Sequence, residues 1–165
     1  MNKKASVQDV GWAMIFFFTA VVLFLVVTYT YSSVVDKIKL NPKINSSQVT
    51  INAFEDTKNL TSRYDYVSVA ILLGFTLGII ISGWLVGGHP IFSVMYFIFL
   101  IVIVIASNIF AYVWNTIATK PMFITTVAAK FPVSNHILNN FPVYITVIGF
   151  IGMIVMFAKP RSEQY

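Results

Sequence analysis

His89 and His136 are the chain's two imidazoles, accompanied by six side-chain carboxylates and no cysteine. A metal centre or a general acid–base pair would have to be assembled from that small stock. His89 stands in Gly87-Gly88-His89-Pro90 with no second His, Asp or Glu near it, and His136 lies in a separate polar stretch. Two histidines without a carboxylate partner do not compose a metal site. The lack of Cys removes thiolate ligands, disulfides and cysteine nucleophiles. Ser82-Gly83-Trp84 comes with neither a base nor an oxyanion arrangement. No Gly-Lys-Ser/Thr phosphate loop, His-Glu-x-x-His or Gly-x-Ser-x-Gly elbow occurs. No catalytic residue, metal or cofactor is therefore expected, and no enzyme acting alone.

The element that must carry these side chains is an uncharged run from Val67 to Thr119, densest at Phe97–Ala106. A bilayer core of about 30 Å needs roughly 20 apolar residues at ~1.5 Å rise each, so the run is long enough to cross twice. Gly87-Gly88-His89-Pro90 is where it reverses: two glycines tolerate positive φ, and Pro90 is pre-set for the first turn of the next helix. His89 reads as an interfacial turn residue. Composition agrees, with 58% hydrophobic and 10% charged residues and a mean hydropathy of +0.81, against about 25% charged in a soluble domain. The net charge of +5 sits at segment ends and in loops, where Lys and Arg anchor helices to lipid headgroups. No basic stripe interleaved with aromatics points to nucleic acid.

The predicted fold is all-α: a single integral membrane bundle of about four transmembrane helices. The spans are placed at about 11–35, 67–86, 91–117 and 142–158, with a polar loop at 36–66 and an amphipathic loop at 118–141. The first span follows Lys3 and Lys4 as a signal peptide would, but its apolar core is too long and Thr28-Tyr29-Thr30-Tyr31 reads as an aromatic belt, so an uncleaved anchor is expected. Residues 36–66 carry five basic and four acidic side chains. Ile51, Phe54, Lys58 and Arg63 predict a short helix there, and Asp65 is placed at the membrane edge. Lys37, Lys39, Lys120, Lys130, Lys159 and Arg161 are the expected headgroup anchors.

Gly74, Gly78 and Ser82 fall four apart on one helical face, and Gly83 and Gly87 repeat the spacing alongside. Small residues at this interval let helices approach backbone to backbone, within the bundle or against a neighbouring subunit. Gly149 and Gly152 offer the same in the last span. Asn108, the sharpest polar residue in any span, is expected to register one helix against another through interhelical hydrogen bonds. Between residues 118 and 140, Phe131, Ile137, Leu138 and Phe141 form one apolar face, which predicts a short amphipathic segment in the headgroup plane, with Lys120 and Lys130 turned to anionic lipid.

Four spans put both tails and the Gly-Gly-His-Pro turn on one side. Basic residues near span ends then number four there (Lys3, Lys4, Lys159, Arg161) against seven in the two longer loops (Lys37, Lys39, Lys43, Lys58, Arg63, Lys120, Lys130). That leans towards cytoplasmic loops, whereas the short Lys-rich N-terminal tail leans the other way. The spans themselves hold no Asp, Glu, Lys or Arg when Asp9, Asp36 and Asp65 count as flanking. Intramembrane ionisable groups are the usual mark of proton relays and ion paths, so a pump or secondary transporter is disfavoured.

Gly87-Gly88-His89-Pro90-Ile91-Phe92, then Phe131-Pro132 with Ile137-Leu138-Asn139-Asn140-Phe141-Pro142, then Gly149-Phe150-Ile151-Gly152-Met153-Ile154 carry a resemblance of pattern. Over roughly residues 67–160 the chain resembles small membrane proteins of lipid-containing, tailless icosahedral phages. The resemblance implies residence in an internal virion membrane beneath a capsid, with loops 36–66 and 118–140 meeting capsid or vertex proteins. Three readings follow. The first is a structural protein of such an assembly, in a virion or host membrane, with lipid and other membrane or capsid subunits as partners and a possible homo-oligomer. The second is a non-catalytic accessory subunit of a membrane enzyme complex. The third, a holin-like pore former, is least favoured because neither a polar span face nor a highly charged tail is present.

Overall fold

The computed structural model describes residues 8–41, 47–86 and 90–158. Within them the chain forms α1 (Gln8–Lys39), α2 (Gln48–Thr61), α3 (Tyr64–Val86), α4 (Pro90–Ala118), α5 (Ile124–Lys130), α6 (Pro132–Asn139) and α7 (Phe141–Ala158). Four helices among the described residues, α1, α3, α4 and α7, are long and apolar enough to cross a membrane. The chain is a multi-pass, all-helical membrane bundle.

A helix that is apolar all round is a membrane span or a deeply buried helix, so hydropathy alone cannot say which face packs. Burial decides it. In α1, Val10, Met14, Phe17, Val21, Leu25, Thr28 and Val35 are buried, while Trp12, Phe16, Leu23 and Val34 on other faces are exposed. That seam repeats at the three- and four-residue spacing of a helix packed along its length. In α4 the packed seam is Tyr96, Leu100, Ser107, Trp114 and Ala118. The outward faces of α3 and α7 are equally apolar, with Leu73, Leu77, Ile81, Val147 and Ile154 exposed, as lipid contact requires.

The four spans pack in the order α1, α3, α7, α4, with α4 closing more loosely onto α1. Consecutive spans α3 and α4 make at most marginal contact among the described residues; α7 stands between them. Glycines explain that arrangement. A Cβ at Gly149 would lie 2.1 Å from Leu100 Cδ1, and one at Gly152 would lie 2.7 Å from the Tyr96 hydroxyl and 3.1 Å from Ile79 Cγ2. A Cβ at Gly83 would lie 3.2 Å from the Gly152 carbonyl oxygen. The small residues of α7 thus admit α4 on one side and α3 on the other.

The other small positions behave differently. Nothing lies within 4 Å of a Cβ built at Gly74 or Gly78, so that part of the expected small-residue face does not pack inside the bundle. The Gly87-Gly88-His89 turn, together with Lys159 and Arg161, lies outside the described residues; α4 begins at Pro90.

α1 is longer than a bilayer core needs: its 32 residues extend about 48 Å at ~1.5 Å per residue. Its C-terminal turns carry α2 alongside them. Tyr31 donates from its hydroxyl to the Phe54 carbonyl at 3.4 Å, Lys58 pairs with Asp36 at 2.8 Å, and Lys39 pairs with Glu55. A two-residue turn, Ser62-Arg63, then separates α2 from α3.

Candidate functional site

The side-chain hydrogen bonds of Asp65, Lys130 and Trp114 to other helices meet at one end of the bundle, where α5 and α6 fold over it. The segment at 118–140 packs onto the bundle. Val127, Phe131, Ser134, Ile137 and Leu138 are buried, and α6 packs against both α3 and α4. The apolar face of Phe131, Ile137, Leu138 and Phe141 is buried in protein.

Asp65 secures this cap. Pro132 opens α6 at its first turn, and the preceding residue is Phe131, which supplies no side-chain cap. The first amides of a helix have no partner within it. Here Val133 N–H donates to Asp65 Oδ2 at 3.0 Å and Ser134 N–H to Oδ1 at 2.7 Å. Asp65 itself is only 3% exposed. A carboxylate at a helix N-terminus gains from both the orphan amides and the helix dipole. The aspartate placed by sequence at the membrane edge therefore does the work of the missing cap for a helix 68 residues further on. Two features of the sequence point that way in hindsight: a proline-initiated helix with no Ser, Thr, Asp or Asn before it, and a lone carboxylate heading an apolar run.

A second tie joins α4 to α6. Trp114, fully buried, donates from Nε1 to Asn135 Oδ1 at 2.9 Å, and Asn139 Nδ2 donates to the same oxygen at 3.1 Å. A buried indole N–H needs such an acceptor. Beneath α6, the Ser134 hydroxyl is buried without a partner among the described residues, as is the Thr28 hydroxyl of α1.

Lys130, expected to face lipid headgroups, is turned inward. Its Nζ lies 3.4 Å from Ser32 Oγ, 3.4 Å from Thr61 Oγ1 and 3.5 Å from the Lys58 carbonyl oxygen, so it bridges α5 to α1 and α2. Burial holds its pKa below the ordinary lysine value; the Lys58 charge adds to that, and Asp36 opposes it. Glu55 is held below the ordinary carboxylate range by the hydrogen bond and charge of Lys39. Of the other anchor residues, Lys37 and Lys120 are exposed, whereas Lys39 is half-buried against Glu55.

His136 is exposed on α6 with its ring edge-on to Tyr144 at 6.3 Å. Among the described residues, no three His, Asp or Glu side chains converge as metal ligands. A crevice between α1, α3 and α7, lined by Met14, Phe75, Ile79 and Ile148, holds about 10 Å³, the space of a single water at most. An open groove of about 440 Å³ runs along α2 and is lined by Asp56, Asn59, Leu60, Ser62 and Arg63. No family model matches the chain, and neither a curated protein nor a solved structure matches it.

Asn108 is exposed on the outer face of α4 and bonds only its own helix, Nδ2 donating to the Val104 carbonyl at 3.1 Å. It registers no helix against another within the bundle. Chemically, the site holds elements together. Asp65 has both carboxylate oxygens committed to backbone amides, and Lys130 faces hydroxyl and carbonyl oxygens in a junction of three helices.

Proposed function

We propose that this chain is a structural membrane protein of a larger assembly, and that its cap of α2, α5 and α6 is the platform on which other protein subunits dock. The observation that carries this reading is the Asp65 cap. The most buried carboxylate among the described residues accepts two backbone amides of α6 and so fixes a surface helix onto the bundle. A platform tied by Asp65, Trp114–Asn135 and Lys130 keeps one shape, and a preorganised surface loses less on binding. Its outer face combines the charged groove of Asp56 and Arg63 with the exposed apolar side chains Val49, Leu60, Met122 and Ile124, a mixture typical of protein interfaces.

The resemblance to internal membrane proteins of lipid-containing phages supports a virion membrane as the setting, with capsid or vertex proteins on the platform. The test is gentle solubilisation of native particles or membranes, followed by mass spectrometry of what co-purifies. A shell or vertex protein at fixed stoichiometry is the expected partner. A cofactor-bearing membrane enzyme in its place would transfer the same platform to an accessory-subunit role. Recovery of the chain alone would overturn both.

A further inference from the structure

The face of α4 turned away from the bundle carries a second, unpartnered seam. Val94, Ile98, Ile101, Ile105, Asn108, Tyr112 and Asn115, with Thr119 just past its end, follow one another at alternating intervals of four and three residues, and all are exposed. Two residues along a helix is a rotation of about 200°, so Ile98 stands opposite the packed Tyr96. The outward seam is thus diametrically opposite the seam that α4 presents to α7. Its period of 3.5 residues is that of a left-handed helix pair.

Lipid would satisfy the isoleucines and the valine of this seam, but not Asn108. The midpoint of α4 is residue 104, so Asn108 lies about 6 Å from it at ~1.5 Å per residue, well inside a hydrocarbon core about 30 Å thick. Its carboxamide oxygen accepts nothing from any described residue, while its Nδ2 turns back to Val104. A polar side chain at that depth faces a partner or a cavity.

We propose that the partner is a second copy of this chain, with α4 packed in parallel on α4 about a twofold axis normal to the membrane and the two Asn108 carboxamides hydrogen-bonded to each other. Copies inserted with the same orientation necessarily place Asn108 at the same depth. The carboxamide both donates and accepts, so it is complementary to itself across a twofold axis. A lone Asn in an apolar heptad seam fixes register in the same way. Tyr112, Asn115 and Thr119 continue the seam towards the cap, where polar groups meet the headgroup region.

The chain has no cysteine, so single replacements report contacts without background. In the full chain in lipid vesicles, Ile98→Cys, Ile101→Cys, Ile105→Cys and Tyr112→Cys should form disulfide-linked dimers. Val102→Cys and Ile109→Cys, equally exposed but off the seam, should not. Energy transfer between labelled copies should show Asn108→Leu weakening association roughly three- to tenfold, the scale of an interhelical hydrogen bond, with Asn108→Gln retaining part of it. Cross-linking without the 3.5-residue pattern would overturn the proposal. So would unchanged association in Asn108→Leu, or a ring of copies that conducts ions through the Asn108 face. Because Asn108 touches only its own helix, the variants report pairing and not folding.

Discussion

The carboxylate of Asp65, at the first turn of α3, accepts the backbone amide of Ser134 at 2.7 Å, and so joins the second span to a surface helix that the chain reaches only after crossing the membrane again. This contact makes the cap part of the bundle rather than an appendage in the headgroups.

Replacing Asp65 with Ala leaves the buried Ser134 amide and the partly buried Val133 amide without an acceptor. A lost cap costs about 0.5–2 kcal/mol, and orphaned buried donors add about 1–3 kcal/mol. Chemical denaturation in mixed micelles should show a loss of about 2 kcal/mol or more. Protease sensitivity should appear first between residues 119 and 140. Asp65→Asn, which still offers one acceptor oxygen, should fall between the two.

The glycines divide sharply. Gly152→Ala forces a Cβ to within 2.7 Å of the Tyr96 hydroxyl, and overpacking of this kind costs about 1–3 kcal/mol. Tyr96→Phe removes the obstructing oxygen, a buried hydroxyl with no partner among the described residues. The double variant should therefore recover much of the loss in a double-mutant cycle. Gly74→Ala and Gly78→Ala meet open space and should leave stability unchanged or raise it by up to ~1 kcal/mol through helix propensity.

Lys130 gives a pH signature with a definite sign. Its folded pKa is lowered, chiefly by burial. Between that value and the ordinary lysine pKa of about 10.4, the unfolded chain binds the proton that the folded chain has released. Stability should therefore rise as the pH climbs through this window, and Lys130→Met should abolish the rise. Unfolding midpoints from neutral pH to about 10.4, compared with and without the lysine, measure it.

The three tryptophans should report the packing separately. Trp114 is fully buried, whereas Trp12 is 58% and Trp84 49% exposed on lipid-facing surfaces. In single-tryptophan variants, lipids brominated on their acyl chains should quench Trp12 and Trp84 and spare Trp114. Trp114→Phe, which deletes the bond to Asn135, should cost roughly 1 kcal/mol from the hydrogen bond alone.

The spans were legible because length and the absence of charge suffice to mark a helix in lipid: α3 and α4 fall within a few residues of the segments read from hydropathy. Their neighbours were not legible. Apolar residues surround each span, so Gly149 and Gly74 look alike in sequence, and only the packing of α7 between α3 and α4 separates them. The partners of Asp65 and Lys130 were hidden for the same reason. Both are charges at the edge of an apolar run, where headgroup anchoring is the common outcome, and their partners are remote in sequence, 69 residues from Asp65 to Ser134 and 98 from Lys130 to Ser32. Asn108 was correctly singled out as the polar residue within a span, but its outward direction follows from which face of α4 meets α7.

The role of the cap as a docking platform is tested most directly by lysine cross-linking and mass spectrometry on native particles or membranes. The expected result is a set of links from Lys37, Lys39, Lys58 and Lys120 to one other protein at constant stoichiometry, sharply reduced in the Asp65→Ala chain. Links to partners only from Lys3, Lys4 and Lys159, or no partner at all, would contradict it.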